Sequence, residues 1–127
     1  MSKKTVKKIL VIDNNEYSLL LISDFLTFNN FQVITAQNGS LGLQLAAEHK
    51  PDLIVCDIDM PEPNGYEIFR QLRRAPTMAN IPVLFLSFET DIASRRRALQ
   101  LGVNGYLTKP LNLNELLSAI ASLLREN

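Results

Sequence analysis

Apolar and polar residues follow one another along this chain in two different patterns. Short apolar runs such as 9–12 and 53–56 are bounded by turn-forming residues, which is typical of strands buried on both faces of a sheet. Between them, longer segments such as 113–124 repeat apolar residues every three or four positions, which is typical of amphipathic helices. The predicted strands cover 9–12, 31–36, 53–56, 82–86 and 106–107, and the predicted helices cover 16–28, 39–49, 65–74, 90–101 and 113–124.

Strand and helix follow one another five times, which predicts the α/β fold class. Strands that are connected through helices pair in parallel and are covered by helices on both faces, and their crossovers are right-handed. The length of 127 residues suggests a single domain over 1–127, in which 1–7 form a basic leader. We therefore expect a (βα)5 arrangement with a five-stranded parallel sheet.

Composition and charge narrow the class of function. The 13 basic residues balance 13 acidic ones, so the chain lacks the positive field of domains that bind nucleic acid directly. The single cysteine, Cys56, cannot form an intramolecular disulfide and is typical of a reducing compartment. No apolar segment reaches membrane-spanning length, and no signal peptide is visible. We expect a cytoplasmic domain that binds neither nucleic acid nor a membrane.

Four polar residues lie where predicted strands end. Asp13 follows the first strand, Asp57 the third and Ser87 the fourth, and Lys109 comes shortly after the fifth. The strands of a parallel sheet end at one edge, so these side chains should converge. If the first and third strands are neighbours, as in the flavodoxin-like order 2-1-3-4-5, a topological switch point lies between the two carboxylates. At the strand spacing of about 4.8 Å, two carboxylates repel each other unless positive charge intervenes.

Lys109 and a divalent cation are both candidates for that positive charge. Mg²⁺ is held by one or two carboxylates together with phosphate oxygens. An aspartate can attack phosphorus as a nucleophile, while a cation and an ammonium group neutralise the oxygens of the transferring phosphoryl group. A hydroxyl such as that of Ser87 can then hydrogen-bond one of these oxygens. The pattern predicts a site that depends on an anion or a metal.

These motifs resemble the receiver domain of bacterial two-component response regulators. The resemblance rests on ILVID at 9–13, DIDMP at 57–61 with Gly65 after it, LS at 86–87 and YLTKP at 106–110. It covers nearly the whole chain, and the motifs together are specific.

The resemblance implies a role for each residue of the motifs. Asp57 would accept a phosphoryl group from a histidine kinase or a phosphotransfer domain, and Lys109 and Ser87 would bind that group. Mg²⁺ would be bound by Asp13, by Asp57 and by the backbone carbonyl of Asp59. Such a domain is a signalling domain rather than an enzyme and at most catalyses its own phosphorylation and dephosphorylation.

Ser87 and Tyr106 would form the switch. In the family, the hydroxyl moves toward the phosphoryl group and the aromatic side chain turns inward. This movement changes the surface of the fourth helix, fifth strand and fifth helix, to which a downstream effector protein or an output domain binds. A homodimer formed through the same surface is left open. The peptide bond between Lys109 and Pro110 is expected to be cis.

Two residues depart from the family pattern. Asn14 stands where a second acidic residue normally binds Mg²⁺, and its uncharged amide predicts a weakened ligand. Asp59 would compensate if its side chain turned toward the site. Phe88 stands where a small residue is usual, and it could either cover Asp57 or point outward as an exposed docking residue. Asn14 and Phe88 keep open a pseudo-receiver, which binds a partner without being phosphorylated.

A further alternative is an Mg²⁺-dependent phosphohydrolase of the haloacid-dehalogenase type. The segment from Asp57 to Asp59 matches the Asp-x-Asp pattern of those enzymes. That motif normally opens a much larger domain, whereas here it lies in the middle of the chain and no lid segment is present. The phosphorylatable receiver accounts for more of the residues, although the sequence names neither a kinase nor a downstream target.

Overall fold

The computed structural model describes residues 5–88 and 92–125, in which five strands alternate with five helices. The strands are β1 (Lys8–Ile12), β2 (Gln32–Ala36), β3 (Leu53–Asp57), β4 (Val83–Ser87) and β5 (Gly105–Thr108). The helices are α1 (Glu16–Phe28), α2 (Gly39–His49), α3 (Gly65–Arg74), α4 (Ile92–Gln100) and α5 (Leu113–Arg125). The predicted start of the fourth helix at 90–91 and part of the predicted leader at 1–7 lie outside the described residues.

All five strands pair in parallel, as the alternation of the elements predicted, and their order β2-β1-β3-β4-β5 is the predicted flavodoxin-like one. β3 and β4 are buried along their whole length, whereas the edge strands β2 and β5 are buried only in part. This explains why the inner strands have continuous apolar runs rather than an alternating pattern. β1 lies between β2 and β3, which places its end beside the end of β3.

The sheet is covered on both faces, and successive strand residues point into two different apolar layers. Ile9 and Val11 of β1 pack with side chains of α1 and α5. Leu10 and Ile12 of the same strand pack with side chains of α2, α3 and α4. The predicted placement of helices on both faces is therefore confirmed.

The helix starts that the sequence suggested are formed by side-chain caps. Asn15 caps α1 by accepting from the N–H of Ser18, at 2.9 Å. Asn64 and Glu67 form a reciprocal capping box at the start of α3. Because these caps hold the first turns, the loops that follow β1 and β3 end at defined positions close to the strand ends.

β4 differs by one residue from the predicted strand. It runs from Val83 to Ser87 rather than over 82–86, because Pro82 has no N–H to donate to a neighbouring strand. Its carbonyl still accepts from the N–H of Ile54, at 3.0 Å. Ser87 is thereby the last residue of the strand, with its side chain fixed by the sheet.

The described helices are short. The longest, α1 and α5, have 13 residues each, and no helix within 5–88 and 92–125 is both long and apolar enough to cross a membrane.

Candidate functional site at the carboxyl edge of the sheet

Asp13 and Asp57 lie side by side at the carboxyl edge of the sheet. The parallel register pairs Ile12 of β1 with Cys56 of β3, so the residues that follow them are also neighbours. Asp13 is 0% exposed and Asp57 2%. The N–H of Asp13 donates to the carbonyl of Ala36 at 3.1 Å, which holds this residue against the end of β2. The structure thus brings together the two carboxylates that the sequence placed at one edge.

Lys109 lies between these two carboxylates. Its Nζ is 3.2 Å from Oδ2 of Asp13 and 3.5 Å from Oδ2 of Asp57. The backbone N–H of Lys109 donates to the carbonyl of Ser87 at 2.8 Å, which fixes the loop after β5 against the end of β4. The peptide bond between Lys109 and Pro110 is cis, as expected.

The buried group of Asp13, Asp57 and Lys109 carries more negative than positive charge. Burial, and after it the negative charge of Asp13, raises the pKa of Asp57 from 3.8 to about 6. Lys109 and the N–H of Asp59 act in the opposite direction, but they do not cancel the rise. One ammonium group between two buried carboxylates leaves a site that favours further positive charge.

The donor set fits Mg²⁺. Mg²⁺ prefers oxygen ligands and is usually held by one or two carboxylates, with water and phosphate oxygens completing the octahedron. Asp13 and Asp57 are such a pair, and their charge exceeds that of Lys109. No three His, Cys, Asp or Glu side chains of the described residues converge as a closed metal cage. An open pair of carboxylates leaves room for the water and phosphate ligands that Mg²⁺ keeps.

The side chain of Asp59, whose direction the sequence left open, turns toward β4. Its Oδ2 accepts from the hydroxyl of Ser87 and from the backbone N–H of Phe88, at 3.1 Å each. The backbone N–H of Asp59 donates to Oδ1 of Asp57, also at 3.1 Å. Asp59 thereby connects the ends of β3 and β4 across the site.

The glycine that follows the aspartates is required by close packing. A Cβ atom on Gly65 would lie 2.7 Å from Cα of Ile58 and 3.0 Å from the carbonyl oxygen of Asp57. Both are backbone atoms, which cannot move aside without shifting the strand end. Only glycine lets the start of α3 approach the backbone beside Asp57 so closely.

The remaining candidate residues lie around this centre. Asn14 is exposed beside Asp13. Phe88 is 66% exposed; its ring centroid is 5.1 Å from Nζ of Lys109, and it lines an open groove with Tyr17. Of the two orientations considered for Phe88, the structure shows the outward one.

Tyr106 points inward. It is 5% exposed, and the guanidinium of Arg95 on α4 lies 5.7 Å from its ring centroid. The inward position is the one that the family resemblance connects with a switched state, and it is joined to α4 by this cation–π contact.

The sequence profile of the response regulator receiver domain matches residues 9–121. The chain belongs to this family. A receiver domain is a signalling module of a two-component system, and this agrees with the resemblance inferred from the strand-end motifs.

Curated relatives and solved structures agree with the assignment as a receiver domain. The chain is similar to the transcriptional regulatory protein KdpE of Mycobacterium tuberculosis, with 36% identity over 119 residues, 94% of this chain and 51% of the relative. It is similar to the alkaline phosphatase synthesis regulator PhoP of Bacillus subtilis, with 36% identity over 121 residues, 95% of this chain and 50% of the relative. The chain thus spans about half the length of the curated relatives it matches.

Among solved structures, the receiver domain is similar to the chemotaxis response regulator CheY4 of Vibrio cholerae. The TM-score is 0.88 at 28% identity, covering 94% of this chain and 99% of that one. A receiver domain protein of Clostridium thermocellum matches with a TM-score of 0.88 at 28% identity, covering 95% and 96% of the two chains.

Sequence reasoning missed one group of this receiver domain, the backbone N–H of Phe88. The side chain of Phe88 departs from the family pattern, but it is the amide that is a donor directed at the site. The sequence feature that could have indicated this donor is the position of Phe88 in the chain. Phe88 directly follows Ser87, the last residue of β4, so its amide lies at the carboxyl edge of the sheet.

Proposed function

We propose that this receiver domain is phosphorylated on Asp57 within a two-component phosphorelay. The observation that carries the proposal is the buried pair of Asp13 and Asp57 with Lys109 in contact with both. Two buried carboxylates that share a single ammonium group are suited to accept a group that arrives with a cation. Ser87 and the N–H of Phe88, at the end of β4, supply hydrogen-bond donors at the same edge.

Different residues of the chain contribute different steps of the phosphoryl transfer. A carboxylate oxygen of Asp57 attacks phosphorus, and a P–O bond to this oxygen forms as the bond from phosphorus to the donor breaks. The donor's imidazole nitrogen, or the carboxylate oxygen of acetyl phosphate, leaves with the electron pair. Lys109 neutralises charge on the phosphoryl oxygens as they arrive. When bound by Asp13, Asp57, the carbonyl of Asp59 and more weakly Asn14, Mg²⁺ supplies further neutralisation of the same charge.

The output of the domain passes through Ser87 and Tyr106. The hydroxyl of Ser87 bonds the phosphoryl group, and this favours the inward position of the Tyr106 ring, which the unphosphorylated chain already adopts, over an outward one. Because Arg95 of α4 stacks on that ring, a change at the ring reaches the surface of α4, β5 and α5. A downstream effector protein, an output domain or a second copy of the chain would bind there, and a histidine kinase or a phosphotransfer domain would supply the phosphoryl group.

The first test is the intact mass of the chain after incubation with acetyl phosphate and Mg²⁺. We expect one added phosphoryl group in the wild type and none in Asp57→Asn. Asp24→Asn is the matched control, because Asp24 is an exposed carboxylate of α1, and it should be phosphorylated like the wild type. An unmodified wild type would overturn the proposal and favour the pseudo-receiver. An equal gain of mass in Asp57→Asn would overturn it as well, because the phosphoryl group would then be on another residue.

A further inference from the structure

The carboxylate of Asp59 has two donors, and both come from the end of β4. Its Oδ2 accepts from the hydroxyl of Ser87 and from the N–H of Phe88, at 3.1 Å each. The two donors belong to successive residues and converge on a single oxygen. A hydroxyl and a backbone N–H are also the donors that would bind an anionic ligand. They hold the carboxylate of Asp59 as they would hold such a ligand.

A phosphoryl group on Asp57 would need the same donors. The register pairs Asp57 with Leu86, so Ser87, the last residue of β4, and Phe88 after it lie directly beside the acceptor carboxylate. The N–H of Asp59 already donates to Oδ1 of Asp57, which places the two acidic residues against one another. A phosphoryl oxygen on Asp57 would therefore compete with Oδ2 of Asp59 for one position, beside the same two donors.

We propose that Asp59 is an internal competitor of the phosphoryl group. In the unphosphorylated chain its carboxylate occupies the position of a phosphoryl oxygen, and it must leave Ser87 and Phe88 when Asp57 is phosphorylated. This inference rests on the proposed function. It makes Asp59 a positioning residue that sets how readily the domain accepts the phosphoryl group.

Charge and exposure both indicate that a phosphoryl group would displace the carboxylate of Asp59 and would not share the two donors with it. The phosphoryl group carries close to two negative charges near neutral pH, so it repels the carboxylate of Asp59 at this distance. Asp59 as a whole is exposed, so its side chain can turn into water without leaving a buried charge. The side chains of Asp13 and Asp57 are buried and cannot turn into water in this way. Asp59 is therefore the acidic residue that the phosphoryl group would displace.

The test uses beryllofluoride, formed from Be²⁺ and fluoride, as the phosphoryl mimic, with Mg²⁺ saturating for each variant. One unit of charge within about 4 Å changes a binding constant by at least about fivefold even in a high dielectric. We expect Asp59→Asn, which keeps the shape and removes the charge, to bind beryllofluoride about tenfold more tightly than the wild type. Asp24→Asn removes an exposed charge elsewhere and should leave the affinity unchanged.

A second readout follows the amide of Phe88 by ¹H–¹⁵N correlation spectra. Without beryllofluoride, its resonance should differ between the wild type and Asp59→Asn, because the charged acceptor has been lost. With saturating beryllofluoride, the resonances of the two proteins should move toward one common position, because the same ligand then occupies the donor. A purely structural role of Asp59 would leave the two resonances apart.

The outcomes separate this inference from the function on which it rests. If neither the wild type nor Asp59→Asn binds beryllofluoride, the proposed function fails and the competition fails with it. If both bind with equal affinity, or if Asp59→Asn binds more weakly, the proposed function stands and the competition is wrong. Tighter binding by Asp59→Asn together with a converging Phe88 resonance supports both.

Discussion

Asn14 is the residue at which the charge of the site can be changed with the least disturbance of packing. It is exposed next to the buried Asp13, so a carboxylate in its place remains in contact with water. Its amide oxygen can bind a cation but carries no charge. Binding of Mg²⁺ at the proposed site would therefore depend mainly on Asp13 and Asp57.

We predict that Asn14→Asp tightens Mg²⁺ binding by roughly tenfold or more and speeds phosphorylation by acetyl phosphate. At an effective dielectric near 20, one charge at about 4 Å is worth roughly 4 kcal/mol before desolvation, and partial loss of this gain still leaves a large effect. Isothermal titration with Mg²⁺ measures the affinity, and intact mass over time measures the rate.

Asn15→Asp is the matched control, because it adds the same charge one position later. The side chain of Asn15 caps α1 through the N–H of Ser18, and an aspartate can keep that role. Equal tightening by both variants would point to long-range attraction, and no tightening by Asn14→Asp would mean that residue 14 does not face the metal.

At the scale of elements, the junction of β3 and α3 depends on one glycine. We predict that Gly65→Ala destabilises the domain by about 1–3 kcal/mol, because the added Cβ would overlap backbone atoms and force the strand end to move. Urea unfolding measures this change. The phosphorylation rate should fall as well, since the displaced atoms belong to Asp57 and Ile58.

Gly102→Ala separates steric overlap from backbone strain. Gly102 has φ of +95°, and no atom lies within 4 Å of the position that an added Cβ would take, so its substitution should cost about 1 kcal/mol through strain alone. A smaller loss for Gly65→Ala than for Gly102→Ala would contradict the close approach described above.

The elements were predictable because their signals are local. The apolar runs at 9–12 and 53–56 end on aspartates, and parallel pairing places Asp13 and Asp57 together once the flavodoxin-like order makes the first and third strands neighbours. The direction of the Asp59 side chain was not predictable. Its donors come from Ser87, 28 positions away in sequence, and from the residue after it, and an exposed loop side chain has several rotamers until such a partner is known.

At the scale of the whole molecule, the site lowers the stability of the fold. Burial raises the pKa of Asp57 to about 6, so the folded chain binds this proton more tightly than the unfolded chain does, whose value is near 3.8. The contribution of this carboxyl to stability is complete below about pH 4 and is lost as the pH rises through about 6. Near neutral pH, the fold therefore keeps an ionised Asp57 beside Asp13 at a cost in stability.

We predict that Asp57→Asn is more stable than the wild type at pH 7.5 in the presence of a chelator, by about 1–3 kcal/mol, since one pKa unit corresponds to about 1.4 kcal/mol. The difference should shrink at pH 4.5, where Asp57 of the wild type is mostly protonated. Urea unfolding of both proteins at the two pH values measures this difference in stability, and the titratable groups that the two proteins share cancel in the comparison.

Added Mg²⁺ should stabilise the wild type more than Asp57→Asn, because a ligand of the native state shifts unfolding by mass action. A stability difference that is the same at both pH values would show that the raised pKa does not control the stability of this fold.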